Sequence, residues 1–400
     1  MVSGRKIESG AGPIRLGMVG GGQGAFIGGV HRIAARLDGE FQLVAGALSS
    51  DPARAATSAA EIGLDPSRSY ASFAEMAKAE ARRPDGIEAV SIVTPNHMHF
   101  APARAFLEAG IHVICDKPLT ATLADARKLA ALAQKSKALF ILTHNYTGYP
   151  MVRHAREMVR SGRLGDIRLV QAEYPQDWLT EKVEDTGSKQ ASWRTDPKRS
   201  GAGGATGDIG THAFNLARFV TGLELDSLSA DLDAFVPGRR VDDNAHVMLR
   251  FKPARDNGGK APGAKGMLWA SQVAPGNENG LKLRVYGARG GLEWVQADPN
   301  YLWWTPFGQP KQLLTRAGAG AGPAAARVSR IPAGHPEGYL EGFATIYAEA
   351  AKAIRAARAG RKPPKDVIYP TVEDGLEGVA FVEACVRSSR KNAAWVKLDL

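Results

Sequence analysis

The sequence has 400 residues, of which 44% are hydrophobic and 23% are charged, a balance typical of a globular chain long enough for two domains. This composition excludes a fibrous or largely disordered protein. The formal net charge of +10 raises the question of nucleic-acid binding. Lys and Arg are scattered, however, and no basic run is interleaved with aromatic residues, so we expect no nucleic-acid partner.

The apolar runs and the cysteines indicate the cellular compartment in which the protein is expected. The run LFIL at 139–142 is too short to cross a bilayer, and residues 1–13 contain no apolar signal core. The two cysteines, Cys115 and Cys385, are too few for a disulfide framework or a zinc site. We therefore expect a cytoplasmic protein with no membrane partner and no metal.

Along the chain, apolar strands alternate with amphipathic helices from Ile14 to about Thr143. Near-continuous apolar strands separated by helices predict an α/β domain over residues 13–145, with a doubly wound parallel sheet covered on both faces. The predicted strands are IRLGMVG (14–20), FQLVAGAL (41–48), IEAVSIVT (87–94), IHVIC (111–115) and ALFILTH (138–144), with helices at 22–37, 51–63, 99–110 and 120–135.

The pattern changes after about Tyr146. Longer strands of alternating polarity, with few helices between them, predict an α+β domain over residues 146–400, built on a large, mostly antiparallel open sheet. The predicted strands are IRLVQAEY (167–174), NAHVMLRF (244–251), MLWASQV (267–273), LKLRVYG (281–287) and GLEWVQ (291–296), with helices at 150–161 and 208–221. Two stretches, 252–266 and 316–329, are expected to be surface loops without a chemical role.

A glycine-rich turn, GMVGGGQGAFIGGVH, follows the first predicted strand and opens the first helix. Gly20, Gly22 and Ala25 have the G-x-G-x-x-G/A spacing that permits a tight turn, close approach of a pyrophosphate and close helix packing, respectively. The alternative is a flexible glycine-rich loop. The order of strand, turn, helix and strand favours binding, so we expect this turn, with Gln23, to hold the pyrophosphate of NAD(P) in a Rossmann domain.

The end of the second strand, ALSSDPAR, bears on which dinucleotide binds. An acidic residue there would bind the ribose 2′-hydroxyl of NAD. Ser49 and Ser50 occupy this position and Arg54 follows in the next helical turn, a set that suits the 2′-phosphate of NADP, so we favour NADP over NAD. The alternative is that Asp51 binds the ribose, although Asp51 before Pro52 is well explained as a helix N-cap.

Two further loops follow the third and fourth strands, whose carboxyl ends should line the ligand crevice. They are TPNHMH and DKP, and we expect the cofactor to meet Thr94, Pro95, Asn96, His99, Asp116 and Lys117. Lys117 would place an ammonium group near the nicotinamide, where it can bind a substrate hydroxyl and the developing carbonyl oxygen. A surface lysine or a phosphate tether would give the same motif.

A polar stripe marks the helix predicted from Asp208. Asp208, Thr211, His212 and Asn215 recur at i, i+3, i+4 and i+7 beside an apolar stripe, so the carboxylate and the imidazole should share a face. This pattern suits a general base, His212, held and tuned by Asp208. The alternatives are a solvated polar face and an N-cap role for Asp208. A metal site would lack a nearby third ligand.

Taken in order, the glycine turn, TPNHMH, GIHVICDKPLT and GGATGDIGTH resemble the glucose-fructose oxidoreductase and inositol dehydrogenase family (Gfo/Idh/MocA). The resemblance implies NAD(P)-dependent oxidation or reduction of a sugar, cyclitol or related polyol, and a homodimer or homotetramer built on the large sheet. It also implies that Lys117, Asp208 and His212 meet across the domains as the catalytic set, and it favours a constrained, cis Lys117–Pro118 bond. One departure is Asp116, where the family's commonest motif has glutamate.

These patterns together predict an oxidoreductase that transfers a hydride between a nicotinamide cofactor and a secondary hydroxyl or ketone of a sugar, cyclitol or polyol. Asn145, Tyr146, Trp193 and Arg194 are candidate substrate-pocket residues, with packing in the core or a loop as the alternative. Two other classes stay open: a non-catalytic NAD(P)-binding sensor or scaffold, and a sugar lyase or hydrolase that uses transient oxidation.

Overall fold

A computed structural model describes residues 12–253 and 263–400 of the chain. Most of the loop expected at 252–266, and nearly all of the stretch expected to lack a signal core, lie outside the described residues. The chain divides into two compact units. The first comprises residues up to Thr120, Ala124–Gly148 and Tyr339–Leu376, and the second comprises Ala121–Leu123, Tyr149–Gly338 and Glu377–Leu400.

The elements before Tyr149 alternate between strand and helix as predicted, except that a further helix, Phe73–Glu80, precedes the third strand. They are β1 (Ile14–Gly20), α1 (Phe26–Leu37), β2 (Phe41–Ala47), α2 (Pro52–Glu61), α3 (Phe73–Glu80), β3 (Ala89–Val93), α4 (Phe100–Glu108), β4 (His112–Cys115), α5 (Leu123–Lys135) and β5 (Phe140–Leu142). These strands pair in parallel in the order β2-β1-β3-β4-β5, which confirms the predicted parallel sheet. The strand order reverses between β1 and β3, the point at which such sheets bind ligands beyond their carboxyl ends.

The elements from Pro150 onward build the second sheet and the later helices. They are α6 (Pro150–Arg160), β6 (Ile167–Pro175), α7 (Lys189–Arg194), α8 (Pro197–Ser200), α9 (Thr211–Thr221), β7 (Leu225–Asp233), β8 (Asn244–Phe251), β9 (Lys265–Ser271), β10 (Lys282–Gly287), β11 (Gly290–Val295), β12 (Tyr301–Pro306), β13 (Gln312–Thr315), α10 (Pro323–Ala326), α11 (Tyr339–Arg358) and α12 (Val372–Ser389). The strand order is β13-β12-β11-β10-β6-β9-β8-β7. Only the β6–β9 pair among these described strands is parallel, so a mostly antiparallel sheet is confirmed.

Helix α11 belongs to the first unit, whereas the sequence analysis assigned residues 146–400 to the second domain. Phe343 and Ile354 of α11 share one buried apolar cluster with Ile14 of β1 and Val30 of α1. The helix therefore covers one face of the parallel sheet beside α1. Its apolar periodicity predicts a buried face, but periodicity does not reveal which of two sheets that face will cover.

One face of the large sheet is packed and the other is open. Helices α6 and α9 lie on the packed face, where Val247 and Leu268 are buried. On the open face, one row of residues, here called the open-face row, crosses the sheet from β7 to β13: Ser229, Met248, Met267, Gln171, Arg284, Glu293, Trp303 and Leu313. The apolar members of this row are 39% to 52% exposed. The open face therefore carries partly exposed apolar side chains beside polar ones.

The stretch 316–329, expected to be a surface loop, is held in place by Arg316 at its start. Arg316 is 2% exposed, and its guanidinium donates to the Asn300 side-chain oxygen (2.9 Å) and to the Ile331 carbonyl oxygen (2.7 Å). It also pairs with Glu337 over 2.9 Å. A buried and fully bonded guanidinium fixes the chain around it, so this segment is not a loose surface loop.

Candidate functional site

The glycine turn after β1 is shaped by backbone conformations that favour glycine. Gly20, Gly21 and Gly24 have φ angles of +79°, +75° and +74°. A Cβ at Gly20 would lie 2.8 Å from Thr94 Cγ2, and one at Gly22 would lie 2.8 Å from the Leu48 carbonyl oxygen. The turn is therefore a cradle without side chains, as the close approach of a pyrophosphate requires.

The close approach between α1 and the turn is made by Gly28, and not by Ala25 as the sequence spacing indicated. A Cβ at Gly28 would lie 2.4 Å from Gly21 Cα and 2.7 Å from the Gly21 carbonyl oxygen. Ala25 is the half-buried N-cap of α1, which begins at Phe26 and not at residue 22. The turn is longer than the spacing rule assumes, so the glycine needed for close packing comes later in the chain.

A cavity of about 530 Å³ opens over this turn. It is lined by residues 21–26 and by side chains of α1 and α2, among them Arg32 and Ser58. Gln23 N donates to Ser58 Oγ (3.1 Å), and Arg32 Nη1 donates to the Gly21 carbonyl oxygen (2.7 Å). Burial lowers the pKa of Arg32. This guanidinium, which the sequence analysis missed, adds positive charge to a cradle that fits the pyrophosphate of a dinucleotide.

The end of β2 carries the residues expected to choose between NAD and NADP. Asp51 Oδ1 accepts a hydrogen bond from Arg54 N (2.9 Å), so Asp51 is the N-cap of α2, as predicted for a residue before Pro52. Ser49 Oγ accepts from Asp51 N (3.1 Å). One carboxylate oxygen of Asp51 is used by the helix cap. The side chains of Ser50 and Arg54 are exposed, so a ligand can reach them.

The loop after β3 carries Thr94, Pro95 and Asn96, on the edge of the sheet that also carries the glycine turn. His99 lies behind this loop and is fully buried. Its Nδ1 is 2.7 Å from the Pro118 carbonyl oxygen and its Nε2 is 2.8 Å from the Thr94 carbonyl oxygen. Burial lowers the pKa of His99, so the neutral ring donates to one of these oxygens at a time. His99 thus braces the loops after β3 and β4.

The loop after β4 carries the lysine, and its Lys117–Pro118 bond is cis, as predicted. Asp116 Oδ1 accepts hydrogen bonds from Lys117 N and Thr143 Oγ1, both at 3.0 Å. Burial acts to raise the pKa of Asp116, but the interaction with His31 and the charge of Lys117 hold it below its usual value. Asp116 is therefore an ionised carboxylate that fixes the main chain at Lys117.

In the second unit, the segment before α9 forms a π-helical turn, Thr206–Gly210, which contains Asp208. The sequence pattern predicts an uninterrupted α-helix here, beginning near Asp208. The carboxylate of Asp242 accepts hydrogen bonds from Gly204 N, Thr206 N and Thr206 Oγ1, each at 2.7 Å, and pins the start of the turn. Burial raises the pKa of Asp242. Such π turns are rare and occur often at functional sites.

Asp208 is a held carboxylate in this turn. Arg194 Nε and Gln272 Nε2 both donate to its Oδ2, over 3.1 and 2.9 Å. The N-cap of α9 is Gly210, without a side-chain capping bond, so the N-cap alternative for Asp208 is excluded. The Arg194 guanidinium also lies 4.2 Å from the ring centroid of the half-buried Trp193. Arg194, predicted as a pocket residue, is thus a partner of Asp208, while Gln272 was missed because no local pattern marks it.

The polar stripe of α9 is not a solvated face. Thr211, His212 and Asn215 are 1%, 8% and 6% exposed, so the alternative of an ordinary surface stripe is excluded. Polar side chains kept inside a fold must be bonded there or serve a ligand.

Other hydrogen-bonding side chains lie near His212. The ring of Tyr174 has its centroid 6.1 Å from the imidazole, and Tyr174 Oη donates to Asn279 Oδ1 over 2.6 Å. Gln176 Nε2 donates to the same oxygen (2.8 Å), and Trp178 Nε1 donates to Gln176 Oε1 (3.0 Å). These residues come from β6 and the segments next to it. They form a polar group that the sequence analysis did not single out.

Asn145 and Tyr146 lie in a 3₁₀ turn, Asn145–Gly148, that follows β5 in the first unit, and both are buried. The Nδ2 atom of Asn145 has no hydrogen-bond partner among the described residues. A buried amide nitrogen without a partner is costly. Asn145 is therefore suited to donate to a ligand, and its role in the substrate pocket stays a prediction.

Within residues 12–253 and 263–400, no group of three or more His, Cys, Asp or Glu side chains is arranged to hold a metal ion. In the same ranges, none of the helices has the length and apolarity needed to cross a bilayer.

A parallel sheet with a glycine cradle at its switch point, together with a large mostly antiparallel sheet, defines a class of two-domain NAD-binding oxidoreductases. Comparison with protein families agrees with this class. Residues 14–144 match the oxidoreductase family with an NAD-binding Rossmann fold, and residues 152–293 match the GFO/IDH/MocA C-terminal domain. The chain belongs to the Gfo/Idh/MocA oxidoreductase family.

Several full-length relatives resemble the chain. An oxidoreductase from Sinorhizobium meliloti of known structure is 64% identical, with a TM-score of 0.87, and the match covers 97% of this chain and 100% of that one. An inositol dehydrogenase homolog from Azotobacter vinelandii, in complex with NAD+, is 38% identical with a TM-score of 0.92, over 99% and 100%. Its complex with NADH and myo-inositol has a TM-score of 0.87, over 97% and 98%. The uncharacterized oxidoreductase YfiI of Bacillus subtilis is 35% identical over 99% of both chains.

Proposed function

We propose that this protein is an NAD(P)-dependent dehydrogenase or reductase that acts on a secondary hydroxyl or ketone of a cyclitol, a sugar or a related polyol. The observation that carries the proposal is the carboxylate of Asp208, held by Arg194 and Gln272 one helical turn before His212. A fixed carboxylate near an imidazole suits a general base in alcohol oxidation. The relative from Azotobacter vinelandii, described in complex with myo-inositol, supports the substrate class.

In the proposed reaction, His212 takes the proton of the substrate hydroxyl at an imidazole nitrogen, and Asp208 favours the protonated ring that results. Lys117 Nζ stabilises the negative charge that develops on the substrate oxygen. Asp116 holds the main chain at Lys117, and Tyr174, Gln176 and the unpartnered amide of Asn145 offer hydrogen bonds to ligand polar groups. The bound nicotinamide supplies the hydride acceptor in oxidation and the hydride donor in reduction.

In this proposal, the residues that follow β2 determine whether NADP or NAD is preferred. Ser49, Ser50 and Arg54 favour NADP, and the use of Asp51 as an N-cap agrees with that preference. The relative described with NAD+ and NADH is the contrary observation. We therefore propose NADP as the preferred cofactor and make this preference the first point to be tested by binding.

The proposal includes a homodimer or homotetramer formed through the open face of the large sheet. The apolar members of the open-face row are Met248, Met267, Trp303 and Leu313. They form two pairs, one on the neighbouring strands β8 and β9 and one on β12 and β13. Gln171, Arg284 and Glu293 stand between the two pairs, and the last two carry opposite charges. A second copy of the chain would remove this apolar surface from water.

The test is turnover of a panel of cyclitols and sugars, including myo-inositol, with NAD+ and NADP+ supplied separately and nicotinamide reduction recorded. We expect reduction of the cofactor with at least one polyol. Cofactor binding without turnover of any member of the panel would favour the non-catalytic sensor or scaffold. Conversion of a glycoside without net reduction of the cofactor would indicate the lyase or hydrolase alternative.

A further inference from the structure

A buried polar cluster lies within the first unit, behind the loop that carries Lys117. His31 of α1, Ser91 of β3 and Tyr347 of α11 are each 1% exposed or less. His31 Nδ1 is 2.9 Å from Tyr347 Oη and 3.2 Å from Ser91 Oγ, and the two hydroxyls are 3.0 Å apart. These groups stand on three different elements, so they form a built site and not a local capping motif.

The contacts of the ring fix its orientation and its proton. Both hydroxyls can donate to Nδ1 of His31, whereas Nε2 faces Oδ1 of Asp116 at 3.8 Å. At 3.8 Å, Nε2 makes an electrostatic contact with the ionised carboxylate and no hydrogen bond among the described residues. A carboxylate only accepts hydrogen bonds, so its charge favours the tautomer that carries the ring proton on Nε2. Ser91 and Tyr347 therefore hold the imidazole in the tautomer that presents an N–H to the carboxylate.

Asp116 transmits this contact to the lysine. Its Oδ1, the same oxygen that His31 faces, accepts hydrogen bonds from Lys117 N and Thr143 Oγ1 at 3.0 Å. Six titratable or charged groups, on several packed elements, interact electrostatically with Asp116. They are His31, His99, Lys117, Cys115, His144 and Tyr347. Burial lowers the pKa of His144 to about 3 and that of His99 as well, so these two rings are neutral near pH 7. His31 is the imidazole whose proton faces the carboxylate.

A purely structural role explains this cluster poorly. The ring of His31 lies 5.0 Å from that of Phe343, within an apolar cluster that an aromatic hydrocarbon would fill as well. Burying an imidazole and two hydroxyls there brings a desolvation cost that an apolar side chain would avoid. What an apolar residue would not provide is the N–H that faces Asp116.

We infer that His31, fixed by Ser91 and Tyr347, is a positioning residue that holds the carboxylate of Asp116 and, through it, the main chain at Lys117. The effect of His31 on catalysis rests on the proposed function, because in that proposal Lys117 stabilises the substrate oxygen. It concerns a residue of the cofactor-binding half that does not itself reach the substrate. A helix from the far end of the sequence, α11, supplies one of its supports.

The first experiment compares pH profiles of kcat for His31→Phe, His31→Gln and Tyr347→Phe with that of the wild type. His31→Phe removes the partner of Asp116, so burial should raise the pKa of that carboxyl. Its protonation then adds to that of the general base His212 on the acid side, and the acid limb of the profile should move upward by about one pH unit. His31→Gln should restore much of the profile, since its amide can still donate. Tyr347→Phe should shift the limb in the same direction by less.

The matched control is Tyr70→Phe, which removes another buried phenol of the first unit, one that donates to Glu80 over 2.7 Å. Its loss should lower thermal stability and leave the pH profile unchanged. If Tyr70→Phe shifts the profile as much as Tyr347→Phe does, the effect is general loosening and the inference fails.

The second experiment does not depend on turnover. Acetylation of lysines by an N-hydroxysuccinimide ester is followed by peptide mass spectrometry, with the exposed Lys128 of α5 as internal reference. His31→Phe should raise the labelling rate of Lys117 about threefold or more relative to Lys128, because the main chain beside Asp116 is released. His31→Gln should lie near the wild type.

The two experiments separate the inference from the proposed function. If the wild type turns over no polyol but the labelling of Lys117 responds as expected, the proposed function fails and the positioning role stands. If polyols are turned over and a folded His31→Phe protein keeps both the wild-type pH profile and the wild-type labelling rate, the positioning role is overturned. If His31→Phe does not fold, the pH profile of kcat and the labelling rate of Lys117 in Tyr347→Phe provide the test instead.

Discussion

Arg194 Nε donates a 3.1 Å hydrogen bond to Oδ2 of Asp208, and the two residues belong to separate helical segments, α7 and the π turn before α9. Gln272 donates to the same oxygen from the end of the large sheet. A carboxylate with a charged donor and a neutral donor on one oxygen is fixed in position and ionised. Asp208 is therefore equipped to orient a neighbour and to lend it negative charge.

For Asp208→Asn, we expect kcat for polyol oxidation to fall about tenfold, because an amide keeps the shape and loses the charge that favours protonated His212. The same loss lowers the pKa of the general base, so the acid limb of the kcat profile should move to lower pH. Steady-state kinetics across pH measures both effects. An unchanged profile in a folded variant would remove Asp208 from the proton transfer.

For Lys117→Ala and His212→Ala, we expect kcat to fall about a hundredfold each, the scale of losing an oxyanion donor or a general base. Cofactor affinity, measured by calorimetry, should stay within about twofold. Lys128→Ala and His335→Ala replace exposed residues of the same types and serve as controls.

The double variant tests whether these two groups act in one step. Groups that act as a unit are not additive, so Lys117→Ala combined with His212→Ala should lose about as much activity as one single variant. Fully multiplicative losses would contradict a shared step. A folded His212→Ala protein with near-normal turnover would remove the general-base assignment.

For the wild type, we expect NADPH to bind more tightly than NADH, and for Arg54→Ala we expect about a tenfold loss of NADPH affinity with NADH unaffected. Asp51→Asn should retain the helix cap, since Asn caps as well as Asp, and should favour NADPH by removing a negative charge. Calorimetric titration with both cofactors is the measurement. Tighter NADH binding by the wild type, weakened in Asp51→Asn, would transfer the ribose role to Asp51.

For Gly28→Ala, we expect the free energy of unfolding to fall by about 1–3 kcal/mol, because the new methyl group would overlap Gly21 in a closely packed turn. The glycine cradle should also lose most of its affinity for dinucleotide. Gly29→Ala is the matched control, since a Cβ there meets only the end of Arg32, at 4.0 Å. It should stabilise α1 by about 0.5–1 kcal/mol. Denaturant unfolding measures the free energy of unfolding of both variants. Equal changes in the two would refute the close approach of Gly28 to Gly21.

For Met267→Glu, we expect the oligomer to dissociate, because a second copy packed on the open-face row would bury the new carboxylate and remove it from water. Sedimentation velocity and light scattering measure the molar mass. Phe307→Glu, which changes an 85% exposed apolar residue outside this row, is the control and should keep the wild-type mass. A wild-type protein that is monomeric at micromolar concentration would contradict the proposed interface.

The sequence predicted the parallel sheet well because its strands are buried on both faces and each is bounded by a helix. The strand β1 was predicted with the bounds that the structure has, Ile14–Gly20. The spacing of the glycine turn was less informative. It indicated Ala25 for the close helix approach, whereas the backbone path brings Gly28 to that position. A spacing rule assumes the length of a turn and does not detect extra residues in it.

The sequence predicted those parts of the candidate site that a local pattern within one element marks. The pairing of Asp208 with Gln272 joins residues 64 positions apart, and the cluster of His31 with Tyr347 joins residues 316 positions apart. Periodicity describes one element at a time, so it contains no information on such pairs. The π turn at Asp208 was missed for a similar reason, because Asp242, which pins it, lies beyond α9 and β7 in the sequence.

The return of α11 to the parallel sheet has a consequence for synthesis of the chain. When β1 to β5 have left the ribosome, the apolar side chains of Ile14, Phe41 and Ile141 still lack the helix that will cover them. While the second sheet is translated, this apolar face of the nascent first unit stays uncovered, and transiently exposed apolar surface of this kind promotes aggregation. For the same reason, a gene fragment that stops at the end of β5 encodes an incomplete fold, and an autonomous cofactor-binding module would need α11 joined to it by a short linker.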